Sequence, residues 1–193
     1  MPRPKLYPDD LRDRLIDAAS QQLAHTGTEG LSLRELTATQ GASTNAIYSI
    51  FGGKPGLIQA VIDSAAESFD QAMSDASAGD ASFDTVHALG SAHRQWALSR
   101  PALYKLMLTT AGPQPGVSDL DGGRAGALAQ VVGRLHEQGT LSGDIDLGEL
   151  TLALWAVVHG FVVLEINRGE PSAQGEGQVH RAQTLLLRGA TVA

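Results

Sequence analysis

The segment Leu31-Ser32-Leu33-Arg34-Glu35-Leu36 constrains this chain of 193 residues more than any other stretch. Ser32 stands where its hydroxyl can accept the backbone N–H of Glu35, Glu35 is spaced to reach back, and Leu31 can pack on Leu36. A capping box that coincides with a hydrophobic staple fixes a helix start to one residue. That helix has room only to about Gln40, because Gly41 supplies a positive-φ turn and Ser43 caps the next helix, Thr44 to Phe51. Gly52-Gly53 then breaks the chain again.

Two short helices about a glycine-containing turn predict a helix-turn-helix, and helical spacing continues on both sides of it. Leu11, Leu15, Ala19 and Leu23 form one stripe, with Ile16 beside it, over Asp9 to Thr26, and Gly27 supplies the stop. Pro55 suits the first turn of a fourth helix carrying Leu57, Val61, Ala65, Phe69 and Met73, flanked by Ile58 and Ile62. The small and polar stretch from Ser74 to Ser82 is a joint. Beyond it, Phe83, Val86, Leu89 and Trp96 mark a helix ending near Arg100-Pro101, and Leu103 to Leu108 a short one. Ala111 to Gly123, with Pro113 and Pro115, is a loop. Leu128, Val131, Val132 and Leu135 mark the next helix, stopped by Gly139.

Asp146 and Glu149 repeat the capping box, with Ile145 and Leu150 as staple, and open the most apolar segment of the chain. Val157 to Val163 also fits two strands about a turn at His159-Gly160; an uninterrupted helix of about 20 residues is preferred because the cap lies upstream and Leu152 to Ala156 continues from it. Arg168 to Gln178 is a loop, and Val179 to Gly189 the last helix. The expectation is an all-α chain of about nine helices: a helix-turn-helix domain over 1–54, a connecting helix over about 55–75, and a helical domain over 76–193.

With 42% hydrophobic and 18% charged residues the chain is an ordinary globular protein, too apolar for disorder. It has no cysteine, which removes disulfides, thiolate chemistry and cysteine-held metals. The polar opening Met1-Pro2-Arg3-Pro4-Lys5 has no secretory pattern. The longest apolar stretch, Leu150 to Leu164, falls short of the roughly 20 residues that span a bilayer, so no membrane is expected and the cytoplasm is the expected location. His87 and His93 do not share a helix face, so no metal is expected. The chain lacks Gly-x-Ser-x-Gly, a phosphate loop of the Gly-x4-Gly-Lys type and His-Glu-x-x-His, and neither an enzyme nor a cofactor is expected.

The net charge of −7 argues against a nucleic-acid coat. Its distribution removes that objection. In the first 60 residues Arg3, Lys5, Arg12, Arg14, Arg34 and Lys54 balance Asp9, Asp10, Asp13, Asp17, Glu29 and Glu35, so the whole excess of acid lies further on.

Thr28 to Leu57 resembles the DNA-binding domain of the TetR family of bacterial transcriptional regulators. The likeness is carried by the capped helix at Ser32, the turn Gly41-Ala42-Ser43, the aromatic pair Tyr48 and Phe51, and Lys54 ahead of Leu57. The resemblance implies phosphate contacts from Tyr48 and Lys54, groove-facing Thr44, Asn45 and Ala46, and a base-edge contact from Arg34. Ser43, the exposed N–H groups at the recognition-helix start and the capped helix at Ser32 complete the DNA-binding set, and Arg3 and Lys5 form an arm. The residue types suit DNA reading, since Arg can pair with guanine O6 and N7, and Asn with adenine N6 and N7. The competing roles are a core Tyr48, an Arg34 paired with a neighbouring carboxylate and an unengaged Lys54. Thr37, Asn45, Ile50 and Pro55 depart from the family pattern, and Ile50 is left off the contacts as partly core.

Trp155 to His159-Gly160 resembles the Trp-His-Gly signature of one C-terminal subclass of the family. By resemblance, the body holds a small hydrophobic effector among its middle helices, and the last two long helices form a homodimer. His93, Trp96, Tyr104, Met107, Trp155 and His159 are the large or titratable residues expected to face inward and are the candidate effector-binding set. Each also fits a plain core role, and for His159 a hydrogen-bonded core histidine is preferred. Gly160 costs about 1 kcal/mol in a helix relative to Ala, a cost that close approach of another helix offsets. The implied function is a ligand-released repressor that binds an inverted-repeat operator on double-stranded DNA as a homodimer. The alternative is a helical small-molecule binding protein with a vestigial helix-turn-helix.

Overall fold

The computed structural model describes residue 8 and residues 10–110, 126–169 and 171–191. The expected arm at Arg3 and Lys5 and the expected loop Ala111 to Gly123 lie outside them. Among the described residues there are nine helices and no strand: α1 Leu11–Thr26, α2 Leu33–Thr39, α3 Thr44–Phe51, α4 Lys54–Ala76, α5 Phe83–Ser99, α6 Pro101–Thr110, α7 Gly126–Glu137, α8 Leu147–Arg168 and α9 Gly175–Gly189. They form two compact units. One holds the residues up to Ala66 together with Ala102–Thr110, the other the remainder, so the division falls inside α4.

The first unit is organised by the α1 stripe. Leu11, Leu15, Ile16, Ala19 and Leu23 are buried with Leu31, Leu36, Ala46, Ile47, Leu57, Ala60 and Val61, and Leu103 and Leu106 of α6 pack on the same cluster. Ser32 caps α2 as its spacing predicts, its hydroxyl accepting the Glu35 N–H at 3.4 Å. The reach-back differs. The Ser32 N–H is taken by the Gln22 side-chain oxygen at 3.3 Å, and the Gln22 amide in turn donates to the Glu35 carboxylate at 3.2 Å. A residue of α1 therefore stands between the two halves of the capping box. Thr37 is tolerated in the core because its hydroxyl donates to the Leu33 carbonyl at 2.8 Å. Ser43 occupies the α3 N-cap without a side-chain cap bond, contrary to expectation; the Ser43 carbonyl accepts the Ala46 N–H at 2.9 Å instead.

In the second unit α5, α7, α8 and α9 pack on one another. The segment Val157 to Val163, where strands were the alternative, is uninterrupted helix within α8, opened by an Asp146 carboxylate that accepts the Glu149 N–H at 2.9 Å. With 22 residues and a mean hydropathy of 1.8 over its most apolar 18, α8 is long and apolar enough to cross a bilayer, which the count of fifteen residues understated. Its buried stripe runs through Leu150, Leu154, Val158 and Val162 to Glu165. There Arg94 of α5 grips the carboxylate with two hydrogen bonds of 3.0 and 2.6 Å and donates a third to the Ser172 carbonyl at 3.1 Å, while the Ser172 N–H donates to the same carboxylate at 2.9 Å. α9 starts at Gly175, four residues before the expected Val179. A Cβ on Gly175 would meet the Glu165 carboxylate and the Arg94 guanidinium, so the first turn of α9 packs closely over the ion pair.

Candidate nucleic-acid interface and effector cavity

The burial pattern of the short helices separates a core face from a solvent face. On α3, Ala46 and Ile47 are buried and Ile50 and Phe51 pack on the core, while Thr44, Asn45, Tyr48 and Ser49 are exposed. On α2, Leu36 and Thr37 face in and Arg34, Glu35, Ala38 and Thr39 face out. Arg34 has no ion-pair partner among the described residues. Tyr48 is 61% exposed, a large value for so apolar a side chain. Its ring stands against Gly53, whose φ of +121° favours glycine and whose would-be Cβ would make ordinary contact with the ring at 3.5 Å. The phenol ring is thus braced on one side by Gly53 while most of the side chain faces solvent. Arg12 of α1 lies 5.9 Å over the Phe51 ring, adding a second cation beside the end of α3. The Lys54 ammonium donates to the carbonyls of Leu31 at 2.9 Å and Glu29 at 3.3 Å.

In the second unit an apolar cavity of about 20 Å³ is lined by Met73, Leu89, Gly90, His93, Leu128, Trp155, Val158 and Gln183. It has room for about one water. His93 sits between aromatic neighbours, edge-on to Phe69 at 5.1 Å and 6.2 Å from Trp155, whose indole stacks on His159 at 4.8 Å. Burial first, then the neighbouring His159, pushes the His93 imidazole down to about 3. It is neutral at physiological pH. Burial likewise lowers His159. Among the described residues no cluster of His, Cys, Asp or Glu is arranged to hold a metal.

Residues 15–61 match the bacterial regulatory proteins of the tetR family, and residues 86–185 match the tetracyclin repressor-like C-terminal domain. The second match alone covers more than half of the chain. It belongs to the TetR family. The HTH-type transcriptional regulator Rv1816 of Mycobacterium tuberculosis is 29% identical, over 93% of this chain and 91% of that protein, and Mb1846 of Mycobacterium bovis matches to the same extent. A Rhodococcus sp. RHA1 protein of unknown function shares the fold with a TM-score of 0.81 at 24% identity, over 98% of this chain and 100% of that one. The TetR-family regulator PfmR of Thermus thermophilus does so at 0.67 and 19%, over 91% and 98%.

As a TetR-family protein the chain is a DNA-binding transcriptional regulator, and the exposed α2–α3 surface lies within the segment that matches the family's DNA-binding domain. One expected groove contact is corrected: Ala46 has no exposed surface and belongs to the core beneath α3. Ser49 faces solvent in its stead and was missed, although its place four residues after Asn45 marks the same face. In the regulatory domain the six expected effector residues do not share one pocket. His93 and Trp155 line the cavity, whereas Trp96 borders an open groove with Ser68, Gln71, Asp75 and Arg100. Tyr104 and Met107 are buried on α6, in the first unit. Gln183, 1% exposed on the buried stripe of α9, was also missed; its place four residues after Val179 and four before Leu187, on their face of the helix, was its only signal.

The neutral His93 gives the regulator a pH dependence. Its folded value of about 3 lies below the ordinary 6.5, so unfolding takes up one proton between those limits and stability falls as pH is lowered through that window. Urea unfolding at pH 7 and pH 4.5 is expected to show a larger drop for the natural protein than for His93→Phe, by about 1–3 kcal/mol.

Proposed function

We propose that the protein is a ligand-released repressor: a cytoplasmic homodimer that holds two copies of α3 in successive major grooves of an inverted-repeat operator and lets go when a small hydrophobic molecule enters the second unit. The observation that carries the DNA-binding part is the solvent face of α2 and α3. There Arg34, without an ion-pair partner among the described residues, stands with Thr44, Asn45 and a braced, 61%-exposed Tyr48 above an apolar core. Arg34 and Asn45 supply base-edge contacts, and Tyr48, Thr44, Ser43 and the cap at Ser32 supply phosphate contacts.

Pairing is supported by what α8 and α9 leave uncovered. Ala156 and Gly160 are exposed on α8, Leu164 is 53% exposed, and Leu185 of α9 is 72% exposed. Among the described residues no helix of the same chain approaches Gly160, since nothing lies within 4 Å of its would-be Cβ. The close approach expected to offset its helix cost therefore falls to a second copy. Effector control is supported by the cavity, which joins Met73 of α4 to residues of α5, α7, α8 and α9. A cavity of about 20 Å³ is far below the roughly 300 Å³ of a small-molecule site, so occupancy must move those helices and with them α4. The ligand then acts by its differential affinity for the two arrangements.

The experiment is selection of duplexes from a randomised pool, followed by titration of the enriched sequence. The natural protein is expected to enrich an inverted repeat with half-sites about 10 base pairs apart or slightly more. Arg34→Ala is expected to weaken binding about tenfold or more while relaxing preference at one base of each half-site, and Tyr48→Ala to weaken it across sequences. A protein that enriches nothing is a helical ligand-binding protein whose helix-turn-helix is vestigial.

A further inference from the structure

Most of the charge at the start of α1 lies on its outer face. Asp10 at the cap, Asp13, Arg14 and Asp17 follow the helical spacing of one side, and Arg14 pairs there with Asp10 at 3.4 Å. Arg12 does not share that side. It stands four residues before Ile16, seven before Ala19 and eleven before Leu23, all buried, so the stripe that packs α1 onto the core ends on a guanidinium. The guanidinium carbon lies 5.9 Å over the ring of Phe51, the last residue of α3, and that ring is itself packed on the core. Phe51 is one turn from Tyr48 and is separated from Lys54 by Gly52 and Gly53 alone. Arg12 therefore brings a further cation, from a different helix, to the corner where both expected phosphate contacts stand.

Its charge is only loosely held. Among the described residues Arg12 donates no hydrogen bond, and its ion pair with Asp13 spans 3.8 Å between side chains 57% and 79% exposed. A pair so exposed contributes little and yields to another anion. The contact with Phe51 needs no N–H group as donor. A planar guanidinium placed beside a fixed ring with its donors free can take a phosphate through two parallel hydrogen bonds.

We propose that Arg12 is a further DNA-binding residue: it carries the reading surface from α2 and α3 onto α1 and takes a backbone phosphate beside those of Tyr48 and Lys54. The inference rests on the DNA-binding function proposed above. A phosphate carries no base sequence, so Arg12 adds affinity and helps fix the register of α3 without changing which sequence is preferred.

The test compares the natural protein with Arg12→Gln, Arg12→Lys and Arg14→Gln on the selected operator duplex at several salt concentrations, with circular dichroism confirming each fold. Arg12→Met is carried alongside in case Arg12→Gln does not fold. Arg12→Gln is expected to bind about tenfold more weakly with the same preferred sequence. Its slope of log K on log salt should become shallower by about 1.8, the loss of one phosphate contact from each half of a dimer. Arg12→Lys should retain the natural slope, because the charge that displaces counterions is kept. Arg14→Gln removes the same charge two residues away, from the outer face, and should leave the slope unaltered. A residue that only seats α1 on Phe51 would lower stability without moving the slope. The proposal is overturned by an unaltered slope for Arg12→Gln, by an equal change for Arg14→Gln, or by a shallower slope for Arg12→Lys. If the natural protein binds no duplex, the DNA-binding reading has failed and the phosphate contact with it, whereas failure of the Arg12 contact alone leaves natural binding intact.

Discussion

Gly56→Ala is expected to break the corner between α3 and α4 and to abolish DNA binding while leaving the second unit folded. A Cβ built on Gly56 would overlap the Phe51 carbonyl oxygen, a backbone atom that no rotamer change can move. The carbonyl is held there by the left-handed Gly52, φ +76°, whose N–H closes α3 on Tyr48 O at 3.1 Å, and by Gly53 at φ +121°. Relief requires moving α3 or the first turn of α4, and with it Phe51, which packs on the core. A loss of at least about 2 kcal/mol is expected from overpacking against fixed backbone, read by urea unfolding. Gly133→Ala is the control: nothing lies within 4 Å of its would-be Cβ, so it should be neutral or stabilising by up to about 1 kcal/mol. Equal behaviour of the two variants would contradict the geometry assigned to the corner.

Arg94→Met is expected to be as damaging to the second unit. The Glu165 side chain is 4% exposed, and removing its partner leaves a buried carboxylate with the Ser172 N–H as its only hydrogen-bond donor among the described residues, at a cost of about 3–5 kcal/mol. Glu165→Leu alone strands the guanidinium in the same way, whereas the double variant should recover much of the loss because neither charge remains. Burial opposes ionisation of Glu165, but the bonds from Arg94 and Ser172, with the fields of Arg94 and Arg168, outweigh it and hold the carboxyl below its usual range. The stabilisation is therefore complete above the ordinary Glu value of about 4.5 and is lost as pH falls through the depressed one. Double-mutant unfolding free energies measure it directly; additive losses would mean that the pair is not coupled.

Where one helix carries both halves of a signal, the sequence was readable. The caps at Ser32 and Asp146, the stripe of α1 and the continuity of α8 depend on residues a turn apart, and the structure has them. Part of what escaped depends on residues distant in the chain, although the side-chain cap expected at Ser43 and the orientation of Ala46 are local signals that also failed. The capping box at Glu35 was rerouted through Gln22, ten residues before Ser32, and α9 begins four residues early, its first turn packed against Glu165 of α8. The family resemblance implied a groove-facing Ala46 beside Asn45, yet one residue is about 100° of rotation in a helix, and Ala46 is buried with Ile47 in the core. Large residues of the body could be recognised as inward-facing, but not sorted between two units, since Trp96 and Tyr104 carry the same local signal and end in different ones.

The opposed requirements of charge are met by placing the excess of acid beyond the first 60 residues, which are balanced while the whole chain carries −7. Sequence-specific contacts, not bulk attraction, must then supply most of the affinity. The most direct measurement is sedimentation of the complex with the selected duplex, alongside a duplex in which one half-site is scrambled. Two chains per duplex, bound to both half-sites, are expected, with at least about a tenfold loss of affinity on scrambling one. A complex with a single chain, or equal affinity for the two duplexes, would overturn the reading of a homodimer on an inverted repeat.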